Sequence, residues 1–114
     1  MVTFTRKNFE PGQMVFDDGD AAESVYVLRS GQVKIGITER DGKSKMLADV
    51  KIGEVFGEIA LLENRSHRAS AVASEASVVL EIPREEFQRR MDAADPIMKS
   101  VVNHLISRLQ DITH

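Results

Sequence analysis

The sequence predicts a mainly β fold, a sandwich or barrel, that closes with helices at its C-terminal end. Up to about residue 83, short apolar segments are cut apart by turn signals at Pro11-Gly12, Asp18-Gly19, Ser30-Gly31, Asp41-Gly42 and Gly53. Many short strands punctuated in this way pack as two sheets or a closed barrel. Beyond Pro83 the period changes. Met98, Val102, Leu105, Leu109 and Ile112 recur at spacings of four, three, four and three, which is one face of a helix.

The elements follow in order. Val2-Thr3-Phe4-Thr5 alternates apolar with polar and reads as a half-buried strand. Phe9 to Gln13 reads as a turn and Met14-Val15-Phe16 as a second strand. Asp17, Asp18 and Asp20 make an acidic turn; they lack the ligand spacing of a calcium loop, so a solvated turn is expected. Ser24 to Leu28 is apolar at nearly every position and predicts a strand covered on both faces. Val33, Ile35 and Ile37 alternate with Lys34, Gly36 and Thr38, a strand with one wet face. Asp41-Gly42 supplies the positive φ of a hairpin turn, and Met46 to Val50 is the returning strand. Lys51 to Glu54 turns the chain into Val55-Phe56, and later strands are expected at Ser70 to Ala73 and Val78 to Ile82. A helix starts at Pro83-Arg84 and carries Phe87 and Met91 inward, with Arg84, Glu85, Glu86, Arg89 and Arg90 on a solvated face. Asp95-Pro96 starts another, Asp as cap and Pro in the first turn. Its apolar stripe, widened by Ile97, Val101 and Ile106, predicts burial against the sandwich, a ligand or a second chain. Met46, Met91 and Met98 are expected as core filling.

Composition narrows the function. At 114 residues the chain, residues 1–114, reads as a single domain with room for a real core. A net charge of −3 gives no general basic surface, so direct nucleic-acid binding by this segment is not expected. There is no cysteine, hence no disulfide and no thiolate metal site, in keeping with a cytoplasmic location. No apolar run approaches a membrane span, and no signal-peptide pattern opens the chain. The histidines, at 67, 104 and 114, are scattered, so no metal site is expected; His67, in a polar loop, is read as solvated. No nucleophile motif is present, so the segment is not read as an enzyme.

The chemistry concentrates between Phe56 and Val72, Phe-Gly-Glu-Ile-Ala-Leu-Leu-Glu-Asn-Arg-Ser-His-Arg-Ala-Ser-Ala-Val. Gly57 lets a ligand approach the backbone, and the short helix after it leaves amides without intrahelical partners. Arg68 offers a cationic fork and Glu58 an acceptor for hydroxyls. A phosphate carrying a sugar satisfies that set better than a bare ion does.

This stretch resembles the phosphate-binding cassette of cyclic nucleotide-binding domains: Phe56-Gly57-Glu58, apolar residues, a variable loop, then Arg68-Ala69-Ser70-Ala71-Val72. Many members carry Pro just before the arginine, where this chain has His67. The resemblance extends over nearly the whole chain, with Gly19 and Gly31 at the family's turn positions. It implies a double-stranded β-helix, that is, a jelly-roll β-sandwich over about 1–83, followed by C-terminal helices over about 84–114. It implies a regulatory, non-enzymatic module that binds cyclic AMP (cAMP), with cyclic GMP as the second choice, and no cofactor. The implied ligand-binding residues are Phe56, Gly57, Glu58, Ile59, Ala60, Arg68, Ala69 and Ser70. Arg68 would hold the phosphate, Glu58 the ribose 2′-hydroxyl, and the amides of Glu58, Ile59 and Ala60 would complete the cradle. Family members that prefer guanine often have Thr or Ser where this chain has Ala69, which leans towards adenine. The last helix would act as a lid, with Leu105, Ile106, Arg108 and Leu109 as contacts, or would meet a homodimer partner or effector domain. Two rivals stand beside this reading: a fold that has lost its ligand and serves as an interaction module, and a small cupin-like enzyme.

Overall fold

The computed structural model of the chain describes the backbone of residues 4–113 and the side chains of residues 4–108. Val2 and Thr3 of the expected first strand, and the side chains of Leu109 and Ile112, lie outside the described residues.

Among the described residues, eight strands form two antiparallel four-stranded sheets. The strands are β1 (Thr5–Phe9), β2 (Met14–Phe16), β3 (Ser24–Ser30), β4 (Val33–Thr38), β5 (Ser44–Val50), β6 (Val55–Phe56), β7 (Ser70–Ala73) and β8 (Ser77–Pro83). The sheets run β1-β8-β3-β6 and β2-β7-β4-β5. Helix α1 (Glu58–Leu62) interrupts the strands, and α2 (Arg84–Asp92) and α3 (Pro96–Thr113) follow them. The fold class is therefore the expected one, a mainly β sandwich with C-terminal helices.

The core is made where the inward faces meet. Phe16, Tyr26, Leu28, Val33, Val50, Phe56, Ala71 and Val79 interlock between the sheets. Leu28, Val33 and Val79 are fully excluded from solvent, and burial of such a side chain contributes about 1.5–3 kcal/mol. Strand β3 explains its near-continuous apolar run. Tyr26 and Leu28 face the sandwich, while Val25 joins Ala22, Ala60 and Leu61 in a second cluster against Ile82 and Phe87. Strand β3 therefore touches the sheet core on one side and the helices on the other.

Three expectations need correction. The first strand lies later than alternation suggested, because the pairing partner sets it: Thr5 faces Glu81 and Phe9 faces Ser77 across β8. As an edge strand it tolerates exposed Arg6, Lys7 and Asn8, and Lys7 pairs with Glu81. The charged face of α2 is not wholly solvated. Glu86 is buried and accepts from Arg89 and Arg90, while Arg84 donates to the carbonyls of Leu61 (3.3 Å) and Ala22 (2.7 Å). Met46 and Met98 are more than half exposed, so only Met91 of the three expected core methionines is partly covered.

Asp95 caps α3 as expected, accepting from the Ile97 amide at 2.8 Å. Among the described residues the stripe that follows is only partly covered: Ile97, Met98, Val101 and Leu105 are exposed, and Val102 and Ile106 half-buried. Among the described residues no helix is long and apolar enough to cross a membrane.

Candidate functional site

An aromatic floor comes first. Phe16 of β2, Tyr26 of β3 and Phe56 of β6 pack with ring centroids 5.4–6.2 Å apart. Gly57 lies on this floor in a left-handed conformation, φ 76°. A Cβ there would come within 2.9 Å of Tyr26 Cδ2 and 3.0 Å of Phe16 Cε2. Glycine is thus required twice over, by conformation and by contact. No side chain caps α1, so its first amides are left for solvent or a ligand. Ala60 and Leu61 bury its other face.

At the far end of α1, Asn64 takes a left-handed φ of 56°. The Asn64 amide donates to the Leu61 carbonyl and the Arg65 amide to the Ala60 carbonyl, a Schellman ending that satisfies the last carbonyls. The chain then reaches His67, which is not solvated as expected but 4% exposed. Its imidazole stacks on Phe16 with centroids 3.7 Å apart and planes 10° from parallel. The His67 amide donates to the Asp20 carbonyl and its carbonyl accepts from the Gly19 amide, which fixes the residue to the acidic turn. Burial pushes the imidazole below its ordinary pKa; the Asp20 carboxylate works against this and Arg65 adds to it. Tyr26, buried and near Glu81, Asp20 and Glu23, is pushed up to about 12.

These elements border a cavity of about 490 Å³. Seven of the eight expected ligand-binding residues line it: Phe56, Gly57, Glu58, Ile59, Ala60, Arg68 and Ala69. Ser70 does not. Strand alternation turns it to the other face, where its hydroxyl donates to Asp17 at 2.6 Å and accepts from the Asp18 amide. Arg68 is exposed at the cavity and makes no hydrogen bond or ion pair among the described residues. The opposite wall, which sequence reasoning missed, comes from β5 and β6: Leu47, Ala48, Val50 and Val55, with Ile35 behind them. Phe16, Arg65 and His67 were missed as well. Sheet pairing brings Phe16 and the β5 and β6 residues to this place, so no local motif marks them; Arg65 and His67 lie within the Phe56–Val72 stretch, but a polar loop there gives no sign that they turn inward.

Of the expected lid residues, Leu105, Ile106 and Arg108 do not line this cavity. Leu105 and Arg108 are exposed. Ile106 instead borders a smaller space of about 190 Å³ with Leu61, Leu62, Phe87 and Met91. No cluster of metal-ligating side chains occurs among the described residues. The main cavity thus offers a cation, a carboxylate and backbone amides on one side and an apolar wall on the other. That combination suits a molecule with an anionic end and a flat apolar part.

Comparison with known proteins agrees with this geometry. The chain is 36% identical over 84 residues to the cyclic AMP receptor protein of Thermus thermophilus, covering 74% of this chain and 39% of that protein. The solved EAL enzyme Bd1971 in its cAMP-bound form superposes with a TM-score of 0.76 at 28% identity, over 96% of this chain and 29% of that one. Its cGMP-bound form superposes with a TM-score of 0.78 at 28% identity and the same coverage. The chain therefore spans well under half the length of the curated relative. The family profile described as "Cyclic nucleotide-binding domain" matches residues 6–94, and this chain belongs to that family.

Proposed function

We propose that this domain binds cyclic AMP in the 490 Å³ cavity and passes the event to an effector through its C-terminal helices. The observation that carries the reading is the exposed Arg68, without a protein partner among the described residues, beside Glu58 and the open start of α1 in one cavity. In this reading Arg68 grips the phosphate, Glu58 accepts from the ribose 2′-hydroxyl, and the apolar wall of β5 and β6 receives the base. Support for cyclic AMP comes from the name of the Thermus relative and from Ala69, which offers no hydroxyl to a guanine amino group. The cGMP-bound neighbour keeps cyclic GMP as the competing ligand. Membership of a family of binding modules supports a non-enzymatic role for this segment, with any catalytic activity in the effector. Arg84 supports a route outward: one guanidinium at the head of α2 holds the last turn of α1 and the segment before β3.

Calorimetric titration with cyclic AMP tests this. Arg68→Ala removes two charge-assisted hydrogen bonds, each about 1.5 kcal/mol, and should weaken binding about a hundredfold. The wild type should bind 2′-deoxy cyclic AMP less tightly than cyclic AMP, and Glu58→Ala should narrow that gap. An unchanged isotherm for Arg68→Ala would refute the reading.

A further inference from the structure

We propose that His67 is a further affinity-setting residue of this cavity: its imidazole takes up a proton as the ligand phosphate enters, so binding tightens as the pH falls. The proposal rests on the cyclic-nucleotide reading given above. Its basis is geometric. His67 directly precedes Arg68 and lines the same cavity, yet it is 4% exposed. Its ring lies flat on Phe16, and its backbone is tied on both sides to the acidic turn, so the residue is held at the cavity wall and its ring would lose the stacking contact on turning out to solvent. Its Nε2 atom is buried with no hydrogen-bond partner.

The charges around the ring come from several elements. Asp20 on the turn favours the imidazolium, and Arg65 on the loop opposes it. Arg68, Glu58 of α1, Asp49 of β5 and Glu54 ahead of β6 line the same cavity. Burial outweighs Asp20 and keeps the ring neutral below its ordinary range. A bound phosphodiester adds a fixed negative charge to that cavity, which favours the protonated ring. By linkage, a ligand that raises the pKa of a group binds more tightly where that group is protonated. Arg68 cannot supply this pH dependence, because a guanidinium stays charged throughout the range.

The test is calorimetry of cyclic AMP binding to the whole chain at about pH 8 and about pH 5.5, on either side of an ordinary imidazole. Two buffers of different ionisation enthalpy count the protons taken up. The dissociation constant should fall at the lower pH, by up to about tenfold for each pKa unit that His67 gains on binding. His67→Phe keeps a ring on Phe16 but removes the proton site, and its affinity should not vary with pH in this way. If that variant fails to fold, nuclear magnetic resonance of the wild-type ring protons decides, and the His67 pKa should rise when ligand is added. Tight binding without proton uptake, an unchanged pH slope in His67→Phe, or a His67 pKa that stays put or falls would each overturn the proposal and leave the cyclic-nucleotide reading intact. No binding at either pH would overturn both.

Discussion

Replacing Gly57 with alanine tests the foundation of the cavity. Two costs add. A Cβ at φ 76° costs about 1–2 kcal/mol from the left-handed backbone alone. The same atom would meet Tyr26 at 2.9 Å and Phe16 at 3.0 Å, ring atoms in the sandwich core, and overpacking of that kind costs about 1–3 kcal/mol. The sum, about 2–5 kcal/mol, is a large part of the stability of a domain this size. Gly53→Ala separates the terms. Its φ is 90°, but no atom lies within 4 Å of the added carbon, so it carries the backbone cost alone. Urea denaturation of the two variants gives the difference, expected at about 1–3 kcal/mol. Equal losses would mean that the aromatic floor yields freely and does not set the height of the cassette. A loss below about 1 kcal/mol in both would refute the backbone argument too.

Three further outcomes are expected. Tyr26 is the one tyrosine of the chain, so phenolate absorbance reports it directly; with its folded pKa raised from 10.0 to about 12, the stability it contributes is complete below pH 10 and is lost as pH rises towards 12. Phenolate appearing near pH 10 while the fold is intact would contradict that burial. Arg84→Ala removes hydrogen bonds to the Leu61 and Ala22 carbonyls and should cost about 2–3 kcal/mol in chemical denaturation; a loss under about 0.5 kcal/mol would place those contacts with surface ones. If α3 closes on the base, cyclic AMP should slow amide exchange over residues 97–112, and Leu105→Ala combined with Leu109→Ala should reduce both that protection and affinity; equal exchange with and without ligand would rule out closure.

The parts of the fold legible in the sequence were those set by local chemistry. Asp41-Gly42 marked the hairpin and Asp95-Pro96 the start of α3, and Phe56-Gly57-Glu58 with Arg68 were expected at one site and do line one cavity. What sequence reading missed depends on long-range pairing. Thr5–Phe9 carries little strand signal of its own and becomes a strand because β8 offers an edge. His67 sits in a stretch that looks like a polar loop; its burial follows from the position of Phe16, 51 residues earlier, a separation that no window of the sequence spans. Leu47 and Val55 form the apolar wall only because β5 and β6, edge strands of different sheets, both border the cavity. Glu86 was misread for the opposite reason: charge was taken as exposure, whereas two neighbouring arginines neutralise it on the inward side of α2.

The strand order also governs when the chain can fold during synthesis. Strand β1 pairs with β8, and β2 with β7, so each sheet joins an early segment to one made some 55–75 residues later. Neither sheet can be completed until its late strand has left the ribosome, β7 for one and β8, ending at Pro83, for the other. Until then the emerging segment carries Val25, Tyr26 and Leu28 with no β8 to cover them, an aggregation-prone interval whose length is set by the translation rate. A pause in translation helps this domain close only once β8 has cleared the ribosome, when the codons being read already lie well beyond Pro83 and α3, with its own exposed apolar stripe, has been made.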